Sequence, residues 1–173
     1  MLDWTHSVFR GHTVPFAPTA GTKCLSRLRL SLIHILINSN GASGWDRVEN
    51  RVIYSNPIPA ETVRQILRIL EPYGLLTQIY CGGNIYAEKR SLARVVDLPF
   101  AVEFIENIRK TQIELDSFQT LLEEHPEGVE KLNLAHVESG LREKLWKQFE
   151  AMPGVTVVSS AGSNIELNRD RCV

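Results

Sequence analysis

The residues best suited to chemistry in this chain do not fall into a complete active site. Five histidines, His6, His12, His34, His125 and His136, are its neutral-pH bases and first candidate metal ligands. None has the HxH or HxxxH spacing that would place two imidazoles on one ion. His34 sits in an apolar strand-like run, where a satisfied core imidazole is the ordinary reading, and His125 before Pro126 reads as a surface turn. A nucleophilic serine or cysteine needs a base and a strained, exposed turn. The chain has no GxSxG, and Cys81 beside Gly82-Gly83 reads as a hairpin residue. Gly21-Thr22-Lys23 lacks the order and the upstream glycine of a phosphate-binding loop, and there is no GxGxxG. Phosphoryl transfer through an aspartate calls for an Asp-x-Asp pair, two aspartates two residues apart on a strand end. None of Asp3, Asp46, Asp97, Asp116 and Asp170 has such a partner. The acidic residues Glu123, Glu124, Glu127 and Glu130 read as a solvated helix end.

Composition narrows the class. With 173 residues, 43% apolar and 23% charged, the chain is long enough to bury a core without staples. Nineteen basic against twenty acidic residues give a net charge of −1, so bulk charge offers nothing to nucleic acid. Cys24, Cys81 and Cys172 form no CxxC pair, which argues against a disulfide framework or a zinc knuckle and for a reducing compartment. The longest apolar stretch, Leu28–Ile37, is interrupted by Arg29, Ser31 and His34 and is too short to span a bilayer. No signal pattern opens the chain, so the expectation is a cytoplasmic protein without a membrane or nucleic-acid partner.

The elements that must position any site follow from periodicity. Residues 1–35 carry four basic residues against Asp3 alone, lack periodicity, and are expected to be unstructured. Within them Leu30–Ile35, LSLIHI, resembles the in-frame translation of a transposon end used in sequencing libraries, which would make the segment a joining artefact. Beyond it, Leu36–Asn40 ends a short strand at the Asn40-Gly41-Ala42 turn, and Arg51–Tyr54 is a second strand. Pro59 opens a helix in which Val63, Ile66, Leu67 and Leu70 form one apolar stripe, ended at Gly74. Leu75–Tyr80 and Asn84–Glu88 form a hairpin across Gly82-Gly83. Ser91–Lys110 and Phe118–Glu124 read as helices and Val129–His136 as a strand. Ser139 reads as the cap of a helix through Phe149, with strands at Val155–Val158 and Asn164–Leu167. This order predicts an α+β fold, a mostly antiparallel sheet with helices on one face.

Two bookends give the order a meaning. INSNGA, Ile37–Ala42, is followed more than a hundred residues later by VVSSAGSNIELNRDRCV, Val157–Val173. With the elements between them they resemble the cap region of Cof-type haloacid dehalogenase-like phosphatases over residues 36–173. The resemblance implies Mg2+-dependent hydrolysis of small phosphorylated metabolites through an aspartyl-phosphate. It divides the chain into a core strand and junction at 36–45, a cap at 46–160, and a return segment at 161–173. The family's Asp-x-Asp strand and its later lysine and acidic metal ligands have no counterpart here, so no catalytic or metal-binding residue is assigned and the chain alone is expected to be inactive.

Within the resemblance, Asn40 matches a position at the core–cap junction near bound phosphate. Asn40-Gly41 would offer a side-chain amide beside an unhindered backbone N–H, and an ordinary Asn-Gly turn accounts for the same residues. Glu88 and Arg90, with Lys89 between them, are candidates for substrate selection at the hairpin end, where a solvated strand end is the alternative. The rival to a phosphatase fragment is a small non-enzymatic α+β ligand-binding or regulatory module.

Overall fold

The computed structural model describes residues 35–170. The expectations for residues 1–34, including His34 and Cys24, and for the last three residues lie outside the described residues, while Ile35, set in the unstructured segment, opens a strand.

Three strands, β1 (Ile35–Asn38), β2 (Ser43–Asp46) and β3 (Arg51–Ser55), make an antiparallel meander. β1 and β2 join through the Ser39–Gly41 turn. β2 and β3 join through a turn fixed by the Asp46 carboxylate, which accepts from the Val48 and Glu49 amides at 2.8 and 3.0 Å. Strand β2 was not legible in the sequence, because Ser-Gly-Trp-Asp has neither alternation nor β-branched residues. Every residue of β1 and β3 is exposed.

The second sheet has six strands. These are β4 (Leu76–Cys81), β5 (Asn84–Glu88), β6 (Gln112–Leu115), β7 (Lys131–Ala135), β8 (Val155–Val158) and β9 (Ile165–Arg169), in the order β6-β5-β4-β7-β9-β8. All neighbours are antiparallel except β5 and β6. The β4–β5 hairpin turns on Gly82 and Gly83, both at positive φ (57° and 77°), the combination that a two-residue turn of matching twist demands. The strand expected at Asn164–Leu167, within the segment set at 161–173, is β9. Strand β9 runs between β7 and β8, so the sheet continues to Arg169.

The mixed α+β class expected from the sequence is the one found. Helix α1 (Ala60–Leu70) buries Val63, Ile66 and Leu70, with Leu67 partly covered beside them. It shares one core with α4 (Phe118–Glu124) and α5 (Ser139–Glu150) through Leu121, Leu122, Leu145 and Phe149. That core lies on the sheet face carrying Ile79, Leu132, Leu134, Ile165 and Leu167. Ser117 caps α4 by accepting from the Gln119 amide at 3.1 Å. Ser139 does not cap α5. It is the first helical residue, and Glu138, with extended backbone, takes the cap position without a side-chain bond.

The helix expected over 91–110 is two, α2 (Lys89–Ala93) and α3 (Val102–Thr111), separated where Leu98 turns extended before Pro99. This insert packs on the opposite face of the sheet, where Leu92, Val95 and Ile108 meet Leu76, Ala87 and Ala135. It covers only part of that face.

Candidate functional site

Successive residues of a strand point to opposite faces. On β4 that places Gln78 and Tyr80 opposite the core, on β7 Lys131 and Asn133, and on β9 Glu166 and Asn168. Register brings them together, because Gln78 pairs with Asn133, Tyr80 with Lys131, and Asn133 with Glu166. The result is a polar strip across three inner strands, beside the insert. Gln78, Glu166 and Asn168 are buried, as is Asn164 just before β9.

Burial of so many polar groups is costly unless each is partnered. Asn133 donates to Gln78 at 2.6 Å, and Asn164 donates to Asn133 Oδ1 at 3.3 Å and to Glu166 Oε1 at 2.9 Å. Ser160 also donates to Glu166 Oε1. Lys131 Nζ reaches Glu166 Oε2 at 3.3 Å and lies 4.3 Å from the centre of the Tyr80 ring.

The Ser39–Gly41 turn closes onto this strip. Ser39 and Asn40 both hold positive φ, 51° and 59°, which is sparsely populated for residues other than glycine and persists only where surroundings fix it. Here they do. Asn40 Nδ2 donates to Glu166 Oε2 at 2.6 Å and to Asn168 Oδ1 at 3.0 Å. Asn168 Nδ2 donates back to the Ser39 carbonyl at 2.9 Å, and Ser39 Oγ donates to Glu130 Oε2 at 2.8 Å. The sequence offers the Asn40 amide to a ligand; in the fold both of its hydrogens latch the first sheet to the second.

Burial by itself pushes the Glu166 carboxyl up. The hydrogen bonds from Asn40 and Ser160, the Lys131 charge and the Asn164 amide overcome it and hold the carboxyl down to about 2. Such a carboxylate is a weak base with its oxygens already engaged. Tyr80 is pushed up, by burial first and then by Glu166. The polar groups of the strip are partnered chiefly with one another and with the Ser39–Gly41 turn.

Glu88 and Arg90 are not part of it. Glu88 faces the helical core side, where its buried carboxylate accepts from the Phe118 amide at 3.1 Å and from Arg90 Nε at 2.7 Å. Among the proposed site residues the structure thus unites Asn40 and Gly41 with the β9 strip and leaves Glu88 and Arg90 on the other face. Gln78, Lys131, Asn133, Glu166 and Asn168 went unrecognised in the sequence. The signal that could have found them is the alternation Ile165-Glu166-Leu167-Asn168 in a strand with neighbours on both sides.

The described residues do not fit a Mg2+ site. No group of three or more His, Cys, Asp or Glu among them could hold a metal ion, and the oxygens of Glu166 are taken up by amide, hydroxyl and ammonium donors. No described helix is long and apolar enough to cross a membrane.

Chains of known family share this sequence pattern and this α+β fold. The sequence pattern of haloacid dehalogenase-like hydrolases matches residues 18–172, taking in part of the N-terminal segment set apart above. The chain belongs to that family, as its resemblance to the Cof-type branch implies. A haloacid dehalogenase-like hydrolase from B. subtilis is 23% identical, with a TM-score of 0.60 over 78% of this chain and 53% of its own. Another from Bacteroides thetaiotaomicron is 18% identical, with a TM-score of 0.61 over 80% and 49%. A sugar phosphatase of HAD subclass IIB is 19% identical, with a TM-score of 0.53 over 80% and 47%. The chain spans about half the length of these structures. No curated protein matches it.

Proposed function

We propose that this chain is the substrate-selecting cap, with its junction to the catalytic core, of a Mg2+-dependent phosphatase acting on small phosphorylated metabolites. The observation that carries the reading is the latch of Asn40 onto Glu166 and Asn168 at the rim of a strip holding Lys131 and Asn133. A sugar phosphate offers hydroxyls to the amides of Gln78 and Asn133 and charge to Lys131. The subclass IIB sugar phosphatase among the similar structures supports that substrate class.

On this reading selectivity passes from Glu88 and Arg90 to the strip, while Asn40 and Gly41 hold the junction. The nucleophile and the Mg2+ ligands come from a part of the protein outside this fragment, since the sequence has no Asp-x-Asp pair. When bound, Mg2+ neutralises phosphoryl oxygens. The described residues bind, orient and shield the substrate. The protein works in the cytoplasm, on a small substrate rather than on nucleic acid or membrane.

Titration with glucose 6-phosphate, followed through the side-chain amide signals in 15N correlation spectra, tests the assignment. Saturable shifts of Gln78, Asn133, Asn164 and Asn168 are expected. Saturable binding that leaves these four unmoved, or no binding at concentrations well above about 1 mM, would overturn it. The engaged state of the Glu166 oxygens also suits a non-enzymatic binding module. The flanking coding sequence separates the two, because only a phosphatase needs an upstream Asp-x-Asp strand and a downstream lysine and acidic pair.

A further inference from the structure

At the end of the six-stranded sheet where β4 begins and β5 runs into α2, residues of α1, α2 and the start of α4 line an open cleft of about 350 Å³. Its floor is apolar, made by Leu67, Leu70, Leu75 and Phe118. Its walls carry four arginines in two pairs. Arg64 and Arg68 are four residues apart on α1, and Arg90 and Arg94 are four apart on α2 and its C-cap. Residues so spaced share one helix face, so each pair turns two guanidiniums toward the cleft. Against these four charges the lining holds only two carboxylates, Glu71 and Glu88, a local net of +2.

Only one of the four has a short ionic partner within the protein. Arg90 Nε meets Glu88 at 2.7 Å. Arg64 and Arg68 share one exposed carboxylate, Glu61, at 3.6 and 3.9 Å, Arg64 also donates to the Leu122 carbonyl at 3.4 Å, and Arg94 reaches the Gly74 carbonyl at 3.4 Å. Four guanidiniums around an apolar floor, mostly held at long range, form a receptor for an anion attached to an apolar body. A guanidinium presents its N–H groups as a planar fork that matches phosphate oxygens. The volume is that of a small-ligand pocket.

We propose that this cleft binds a phosphate monoester with an apolar body as a second ligand, apart from the substrate strip. The phosphate is held between the α1 and α2 arginines, and the body lies on Leu67, Leu75 and Phe118. None of the residues lining the cleft belongs to the strip, so a ligand here leaves the strip open to substrate.

The test is calorimetric titration of the full chain with phenyl phosphate and, separately, inorganic phosphate. Phenyl phosphate is expected to bind at least about tenfold more tightly, since only it uses the floor. The Arg68→Gln/Arg94→Gln double variant is expected to lose about tenfold or more in affinity for phenyl phosphate, with unchanged circular dichroism. Lys147→Gln, on the exposed face of α5, is expected to bind as the parent does. Arg68→Lys, which keeps the charge and loses the fork, should bind between parent and double variant, a readout available even if the double variant unfolds. Equal affinity for the two anions, or a folded double variant or Arg68→Lys with parental affinity, would contradict the proposal. Because this titration reads the arginine cleft, its failure leaves the strip assignment standing.

Discussion

Asn40 and Glu166, 126 positions apart in sequence, are joined by a 2.6 Å hydrogen bond from the amide to the carboxylate. The two residues come from different sheets, Asn40 from the turn after β1 and Glu166 from the inner strand β9. A charge-assisted bond of this length is among the stronger contacts a protein makes. It stands where a left-handed turn would otherwise have little to hold it. The same Asn40 amide reaches Asn168, and Asn168 returns a bond to the Ser39 carbonyl, so the turn and the strip fix each other.

The first prediction concerns pH. Glu166 has a folded-state value of about 2 against an ordinary 4.5, so the folded protein binds fewer protons than the unfolded chain between those values. The stabilisation is therefore fully present above about pH 4.5 and is lost as pH falls from there toward 2. Over that window the loss is on the order of 3 kcal/mol. Urea midpoints measured between pH 7 and 2.5 should fall accordingly, and Glu166→Gln should flatten that part of the slope. An unchanged slope in the variant would show that the carboxylate is not held as described.

Ile66 is fully buried beneath α1, in contact with the core that includes Leu145 and Phe149. Ile66→Ala should cost about 2–5 kcal/mol, by lost transfer energy and the cavity left behind. Leu67, half-covered at the edge of the cleft, should cost less. Chemical denaturation of both variants checks the order. A larger loss at Leu67 would mean that the helix is rotated.

Gly128 sits at φ 114°, and a Cβ there would overlap the Ile58 carbonyl. That carbonyl accepts from Val129 at 3.0 Å, and Ile58 donates to the Val129 carbonyl at 2.7 Å. Space and backbone conformation both exclude a side chain, so Gly128→Ala should cost more than the roughly 1 kcal/mol of an ordinary substitution. A thermal midpoint equal to the parent's would contradict the close approach.

Burial, followed by Glu130 and Glu127, pushes the Cys81 thiol up to about 11. The thiolate is the reactive form, so native Cys81 should alkylate slowly at pH 8 and react promptly once the chain is unfolded in urea. Peptide mass mapping after timed iodoacetamide treatment reads this directly. Rapid native labelling of Cys81 would be the contrary result.

Local signals made much of the fold legible. The α1 stripe, the double-glycine hairpin, α4 and β8 stand where periodicity and turn residues place them. What sequence could not give depended on pairing between distant segments. Gln112–Leu115 is short and follows a helix directly, and it becomes a strand only because β5 offers it an edge. The site failed for a related reason. Asn40 drew notice through its neighbour Gly41, but Asn133, Glu166 and Asn168 are ordinary polar residues until register sets them side by side. Glu88 looked like a free strand end and is instead a buried acceptor for α4, a role set by a helix thirty residues on.

The most direct test is phosphate release by the purified chain, in a sample first shown to bind glucose 6-phosphate through the strip amides. It is incubated with Mg2+ and a panel of sugar and nucleotide monophosphates. The expected result is binding without turnover. The strip supplies hydrogen bonds of about 0.5–1.5 kcal/mol each, against the roughly 8 kcal/mol or more that enzymatic acceleration requires. Phosphate release that survives repurification and disappears in Asn40→Ala would contradict the assignment of recognition to this chain and chemistry to the rest of the protein.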